Sequence, residues 1–150
     1  MQGPITFENA VASDAEALAA IRVEAMRESL ERIGRCDPQR ARERFLSAFS
    51  PAHTRHILLA GKKAGFFVVK PEEGGLLLDH LYIKPGYQGQ GVGAAVLAEV
   101  FALADRAACF VRVGALRESD SNRFYTRHGF VLVEQAEFDN YYVRHATNAL

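Results

Sequence analysis

Residues 85–93 contain four glycines, at positions 86, 89, 91 and 93, between two apolar stretches. The stretch before them, Leu76 to Ile83, is typical of a buried strand, and the stretch from Gly91 to Asp105 is typical of a helix. Glycines let the backbone approach a ligand closely and adopt positive φ. The first N–H groups of a helix lack intrahelical partners and favour an anion. The sequence therefore predicts a phosphate-binding loop between a strand and a helix.

Two other phosphate motifs compete for this loop. The Walker pattern requires Lys followed by Ser or Thr after its last glycine, and Val92 and Gly93 stand there instead. The dinucleotide pattern Gly-x-Gly-x-x-Gly/Ala is met by Gly89, Gly91 and Ala94. Only about 55 residues follow Ala94, which is too few for the usual paired βαβ halves. A nicotinamide or flavin dinucleotide protein is therefore the weakest hypothesis for the function of this loop.

Two motifs together resemble one known family. Gln88-x-x-Gly91-x-Gly93 resembles the acetyl-coenzyme A pyrophosphate loop of the GCN5-related N-acetyltransferases, the GNAT superfamily. The lead-in from Leu81 to Pro85 resembles that family's Leu-x-Val-x-Pro strand. About 35 residues downstream, the segment from Phe124 to Phe130 resembles its Phe-Tyr-x-x-x-Gly-Phe signature, in the expected order.

The resemblance implies an N-acetyltransferase that moves an acetyl group from acetyl-coenzyme A, its cosubstrate, to a primary amine. No nucleophilic Ser or Cys stands in a recognisable elbow, which favours direct attack by the amine. The helix start supplies positive potential, so no metal is expected. The implied pyrophosphate contacts are Gln88, Gly89, Gln90, Gly91, Val92 and Gly93. The implied pantetheine contacts are Leu81, Tyr82 and Ile83, where a backbone N–H can also stabilise the thioester oxyanion. Asn122 and Tyr125 complete the set of predicted cofactor contacts.

Catalysis requires a neutral amine and a protonated leaving thiol. By its place in the family signature, Tyr125 is the predicted general acid for the thiolate. Asp79, His80 and Glu118 are the candidate bases. Adjacent strand residues point to opposite faces, so Asp79 and His80 cannot both face the site unless a bulge intervenes. A structural or solvated role remains the alternative for each of these side chains.

One position departs from the family pattern. Glu118 stands where the family often has an asparagine that contacts the cofactor, seven residues before Tyr125. Asn122, three residues before Tyr125, is the candidate replacement. The departure keeps open a second hypothesis, an acyl-coenzyme A-binding module without turnover.

The remaining patterns predict a single domain over residues 1–150, in the order β-α-α-β-β-β-α-β-α-β-β. Such elements bury their apolar faces in a mixed, mostly antiparallel sheet flanked by helices, and the GNAT resemblance supplies the topology. Besides the strand before the loop, the predicted strands are 5–8, 55–60, 65–70, 109–115, 131–134 and 141–144. Besides the helix after the loop, three helices are predicted. The first begins at a capping box at 13–16 and ends at 33, the second covers 38–49, and the third begins at 119 or 120 and ends at 128.

Composition limits the partners and the location. The formal net charge is zero, so nothing in it favours nucleic acid or a membrane surface. The N-terminal residues resemble no signal peptide and no apolar run is long enough to span a membrane, which predicts a cytoplasmic protein with reduced Cys36 and Cys109. His53, His56, His128 and His145 lack metal spacing and are predicted to lie at the surface or in loops.

The acceptor and the oligomeric state are the least constrained features. A small-molecule amine, an antibiotic and a protein N-terminus or lysine all remain open as acceptors. The last strand, Asn140 to Arg144, is aromatic and terminal, and a terminal strand is expected at a sheet edge. We therefore expect a homodimer that uses the C-terminal hairpin.

Overall fold

The computed structural model of the chain describes residues 3–35 and 37–147, and the prediction made for Cys36 lies outside these ranges. The helices and strands follow the predicted order. They are β1 (Ile5–Asn9), α1 (Ala15–Arg32), α2 (Pro38–Ala48), β2 (Thr54–Leu59), β3 (Lys62–Glu72), β4 (Gly75–Ile83), α3 (Val92–Arg106), β5 (Phe110–Leu116), α4 (Ser121–Arg127), β6 (Val131–Gln135) and β7 (Asp139–Arg144).

The sheet is mixed and mostly antiparallel, with the strand order β1-β2-β3-β4-β5-β7-β6. The parallel pair is β4 with β5, in register from Gly75 opposite Phe110 to Leu78 opposite Val113. Beyond Leu78, β4 continues to Ile83. The predicted fold class, a mostly antiparallel sheet flanked by helices, is confirmed.

The prediction that the last strand forms an edge of the sheet is wrong. β7 lies between β5 and β6, with Val113 opposite Tyr142. Its alternate side chains Asn140 and Tyr142 are buried, whereas all five residues of β6 are exposed. The strand with the buried face occupies the interior position, and β6 is left at the edge.

Two compact units make up the chain. The first comprises Met1–Val68 and His80–Val92, and the second comprises Val69–Asp79 and Gly93–Leu150. The assignment of residues 1–150 to a single domain stays a prediction.

In the first unit, α1 and α2 cover a core built on β3. Leu18 and Ala19 of α1, Phe45 of α2, and Phe66 and Val68 of β3 are buried together. The hairpin between β2 and β3 turns on residues 60 and 61, which both have positive φ, as a two-residue type I′ turn requires. β3 therefore begins at Lys62, before its predicted range, and it also extends past that range to Glu72.

The prediction for His56 is also wrong, because this side chain is buried in β2. Its Nε2 atom lies 2.9 Å from Oδ2 of Asp14. The same carboxylate oxygen accepts the N–H of Val11 at 2.9 Å. The Val11 bond and then the His56 contact lower the pKa of Asp14 from its usual value. The hydrogen bond to Asp14 explains why the polar ring of His56 is tolerated in the interior.

In the second unit, α3 and β5 each bury one apolar side, including Val100 of the helix and Val113 of the strand. The end of β7 is tied to α3 by Arg144, whose guanidinium donates to Asp105 at 2.7 and 3.2 Å. That guanidinium also lies 4.1 Å from the centre of the Phe101 ring. The Arg144 bonds are the main reason that the pKa of Asp105 falls to about 2. These contacts fix the C-terminal strand against the central helix.

Candidate functional site

The predicted phosphate loop begins where β4 ends. The N–H of Lys84 donates to the carbonyl of Ala64 at 2.8 Å, and a single 3-10 turn follows over Pro85–Tyr87. The side-chain amide of Gln88 then donates to the carbonyl of Ile83 at 3.0 Å. Gln88 therefore closes the loop on itself, and the backbone that follows it leads directly into α3.

The glycines of the loop have different physical roles. Gly89 and Gly91 have φ values of +77° and +79°, a left-handed conformation that other residues rarely adopt. No atom within 4 Å would meet a Cβ at either position. Gly86 has open space too, but no positive φ. The path of the backbone therefore requires glycine at positions 89 and 91, and there is open space beside both residues.

Gly93 favours close helix packing. A Cβ at this position would lie 3.0 Å from Cζ of Phe124, on α4. The glycine thus allows α3 and α4 to approach each other closely. Because α3 begins at Val92, the N–H groups of Val92 and Gly93 belong to the first turn, which has no intrahelical partners. The loop and this first turn present backbone donors in the arrangement that an anion favours.

The last residues of β4 are held by a close backbone contact. A Cβ at Gly65 of β3 would overlap the carbonyl oxygen of Tyr82 and lie 3.1 Å from Cα of Ile83. The role of Gly65 was missed from the sequence, where this glycine stands as the first residue of the predicted strand 65–70. Its missing side chain lets β3 approach closely the segment of β4 that is predicted to bind pantetheine.

His80 and Tyr82 lie together on one face of β4, as residues two apart in a strand should. Nδ1 of His80 is 3.1 Å from the hydroxyl of Tyr82. The His80 ring is 5.3 Å from the ring of Phe45, and the Tyr82 ring is 5.4 Å from that of Phe66. A titratable imidazole therefore stands in a half-buried aromatic environment within the first unit.

Asp79 belongs to a charged cluster of the second unit. Its Oδ2 atom lies 3.4 Å from Nζ of Lys70. Arg112 of β5 makes two hydrogen bonds to Glu72 nearby, one of them 3.1 Å long. The Arg112 bonds lower the pKa of Glu72 and raise that of Arg112. The structure thus places the two strand candidates for the base, Asp79 and His80, in different environments.

Tyr125 is buried at the end of α4. Its ring centre lies 5.3 Å from that of Phe130, edge to face, and 6.3 Å from that of Tyr142. The N–H of Phe130 donates to the Tyr125 carbonyl at 3.1 Å, and Gly129 has a φ of +92°. Gly129 therefore ends the helix as predicted. The aromatic contacts fix the ring of the predicted general acid.

Two residues bear on the family's asparagine position, Glu118 in the turn between β5 and α4 and Asn122 at the start of α4. Glu118 is exposed in this turn. Asn122, in the first turn of α4, bonds through its side chain to the turn and to β7. Asn122 and Tyr125 are thus carried by the same short helix.

A family model described as an acetyltransferase (GNAT) domain matches residues 53–132, just over half of the chain. The chain belongs to the GNAT family. The match includes β4, the glycine loop, α3 and Tyr125. The resemblance inferred from the two motifs is therefore confirmed, and the protein is a member of a family of acetyltransferases.

Solved structures share this GNAT fold at low sequence identity. A PaiA N-acetyltransferase from Thermoplasma acidophilum, in complex with coenzyme A, is 16% identical, with a TM-score of 0.77 over 95% of this chain and 99% of that one. An acetyltransferase from Thermus thermophilus is 18% identical, with a TM-score of 0.74 over 97% and 99%. The ribosomal-protein-S18-alanine N-acetyltransferase from Escherichia coli is 15% identical, with a TM-score of 0.72 over 97% and 96%. No curated protein sequence matches the chain significantly.

Metal-binding groups and membrane-spanning helices are both absent from the described part of the chain. In residues 3–35 and 37–147, no three or more His, Cys, Asp or Glu side chains are grouped so as to hold a metal ion. Within that same part of the chain, none of the helices has the length and apolar character needed to cross a membrane.

Proposed function

We propose that this GNAT protein transfers an acetyl group from acetyl-coenzyme A to a primary amine by direct attack. The observation that carries the proposal is the loop in which Gly89 and Gly91 adopt left-handed conformations immediately before α3. The pyrophosphate is bound by the backbone N–H groups of residues 88–93, with the positive end of the helix dipole supplying the potential. No metal is needed for this interaction.

The pantetheine arm lies along the end of β4, beside Leu81, Tyr82 and Ile83. An extended arm can pair with strand backbone, and a backbone N–H there can stabilise the thioester oxyanion. Gly65 supports this geometry because it leaves room for the Tyr82 carbonyl and the Ile83 backbone, which a Cβ at this position would displace. The side chains of β4 are then left to shape the acceptor site.

His80 is the proposed base and Tyr125 the proposed acid. A lysine-like amine titrates at about 10.4, so about one molecule in a few thousand is neutral at pH 7. When Nδ1–H of His80 donates to the Tyr82 hydroxyl, Nε2 is the unprotonated nitrogen that can accept the amine proton. Asp79, ion-paired with Lys70, is the competing candidate. The amine attacks the thioester carbon, the C–S bond breaks, and Tyr125 protonates the departing thiolate.

The proposal predicts release of free thiol from acetyl-coenzyme A when a suitable primary amine is supplied. The acceptor panel should contain small-molecule amines, peptide N-termini and lysine peptides. Replacing His80 by Gln should lower the kcat/KM plateau at neutral to alkaline pH and remove the acidic limb of the pH profile, because that limb reports protonation of the base. Tyr125→Phe should lower kcat by about tenfold, because a thiolate leaves tolerably without an acid.

Asp79→Asn is the control that separates the two base candidates. If it removes the acidic limb and His80→Gln does not, Asp79 is the base. Binding of acetyl-coenzyme A without turnover of any acceptor would instead identify the protein as an acyl-coenzyme A-binding module. The same acceptor panel identifies whether the acceptor is a small-molecule amine or a protein amine in the cytoplasm.

A homodimer formed through β6 is part of this proposal. β6 is at the end of the strand order, and Val131 and Val133 are 62% and 57% exposed. An exposed apolar edge favours pairing with another strand. Antiparallel pairing of two copies about Val133 places Glu134 of one copy opposite Leu132 of the other, so that like charges do not face each other. The register shift between Leu132 and Glu134 marks a bulge that bends this edge locally.

Val133→Lys and Val131→Lys are expected to convert the dimer to a monomer, because an edge lysine opposes strand pairing. Light scattering at micromolar concentration measures the mass. Val11→Lys is the matched control, since Val11 is 57% exposed but lies between β1 and α1, away from the edge. A monomeric unsubstituted protein, or a dimer that survives both β6 substitutions, would overturn the proposed interface.

A further inference from the structure

We infer that Asn122 is a positioning residue for the acyl-transfer reaction, acting through Tyr125 and not through contact with the cofactor. The inference rests on the proposed function, in which Tyr125 is the general acid. Asn122, Asn140 and Tyr142 form one hydrogen-bonded group, the carboxamide hub. The hub joins α4 to the end of β5 and to β7.

The amide nitrogen of Asn122 holds the turn between β5 and α4. It donates to the carbonyl oxygens of Leu116 and Ser119, each at 2.8 Å, with that of Arg117 at 3.3 Å. An amide NH₂ group has two hydrogens. Both are therefore used by the chain itself, in the turn that carries Glu118.

The amide oxygen of Asn122 binds β7. It accepts a hydrogen bond from Nδ2 of Asn140 at 2.9 Å and one from the Tyr142 hydroxyl at 2.8 Å. Both partners are buried, and Gln135 adds a bond to Oδ1 of Asn140 at 3.2 Å. A carbonyl oxygen has two lone pairs, so the acceptor capacity of Asn122 is also filled. No part of this side chain is left for a cofactor.

The position of the hub explains how it acts on Tyr125. Asn122 and Tyr125 are three residues apart on α4, a spacing that places them on neighbouring parts of the helix surface. Tyr142 connects the two, because its hydroxyl binds Asn122 and its ring packs near that of Tyr125. The hub thereby fixes the rotation of α4 relative to β5 and β7. A general acid must hold its hydroxyl within hydrogen-bond reach of the leaving atom, so misplacing the Tyr125 hydroxyl is expected to cost up to the roughly tenfold in kcat that removing it costs.

A double-mutant cycle tests this role. Asn122→Leu removes the side-chain hydrogen bonds of the hub while keeping a side chain of similar size. Tyr142→Phe removes a single hydroxyl, so the test can still be made if the Asn122→Leu variant fails to fold. Each is expected to lower kcat by about tenfold and to leave the KM for acetyl-coenzyme A within about twofold. In a Tyr125→Phe background the same substitutions are expected to have no further effect on kcat. Thr126→Val is the matched control, because it removes a bond from a neighbouring α4 side chain to the Asn122 backbone without changing the hub amide.

Two results would overturn the inference. A tenfold rise in the KM for acetyl-coenzyme A with kcat intact would make Asn122 a cofactor ligand, and equal losses of kcat in both backgrounds would make the hub a purely structural element. If the protein turns over no acceptor, the NMR signals of ring-labelled tyrosine test the hub separately from the proposed enzyme activity. A shift of the Tyr125 signal in the Tyr142→Phe variant supports the hub while the proposed enzyme fails, and an unchanged signal rejects the hub itself.

Discussion

Gly91→Asp is expected to bind acetyl-coenzyme A at least about tenfold more weakly than Gly91→Asn. Position 91 has a φ of +79°, a conformation that both Asn and Asp tolerate better than other non-glycine residues. The two side chains have nearly the same shape, so the comparison isolates one negative charge beside the proposed pyrophosphate. Two like charges about 4 Å apart near a protein surface repel by about 4 kcal/mol, and about 1.4 kcal/mol already corresponds to tenfold in affinity.

Isothermal titration with acetyl-coenzyme A measures the effect, and thermal unfolding of each variant confirms that the fold is kept. Gly86→Ala is the control, because Gly86 has neither a positive φ nor a neighbour within 4 Å of an added Cβ. It should bind acetyl-coenzyme A like the unsubstituted chain. Equal affinities for the Asp and Asn variants would place the phosphates elsewhere and would remove the main support for the proposed cofactor site.

The loop was predictable from sequence because its signal is local. A strand that ends at Ile83, closely spaced glycines and an apolar helix from Val92 specify the turn with few alternatives. The separate roles of the glycines were not predictable. Gly93 packs against Phe124, and Gly65 against Tyr82, so each depends on a residue that is distant along the chain. A sequence motif treats all glycines alike, whereas the structure separates conformation from packing.

The order of the last two strands was also beyond sequence reasoning. Because β7 lies near the C-terminus, it was predicted to form an edge of the sheet. Its interior place instead goes with the burial of its side chains against the neighbouring elements. Tyr142 and Asn140 find partners in Asn122, whereas Val131 of β6 is mostly exposed. His56 follows the same logic, because its burial depends on Asp14. In both cases a polar partner far away in sequence determined the outcome.

Gly65→Ala is expected to be the most destabilising single-methyl substitution proposed for this protein. The added Cβ would overlap the Tyr82 carbonyl oxygen and lie 3.0 Å from its carbonyl carbon. Backbone atoms cannot turn aside as a side chain can, so β3 and the end of β4 must separate. Overpacking typically costs about 1–3 kcal/mol, and a backbone clash is expected at or above the upper end of that range.

Denaturant unfolding at equilibrium measures the loss, and Gly114→Ala is the matched control in a strand. A Cβ at Gly114 would meet only the ring edge of Tyr141, at 3.1 Å, together with a backbone oxygen at an ordinary 3.9 Å. The ring can rotate, so this control should lose much less stability than Gly65→Ala. The folded fraction of Gly65→Ala should also bind acetyl-coenzyme A more weakly, because the displaced backbone at Tyr82 and Ile83 is the proposed pantetheine site. A Gly65→Ala variant with unchanged stability would show that β3 and β4 can separate without cost, and normal affinity despite a stability loss would show that the pantetheine arm does not depend on this stretch of β4.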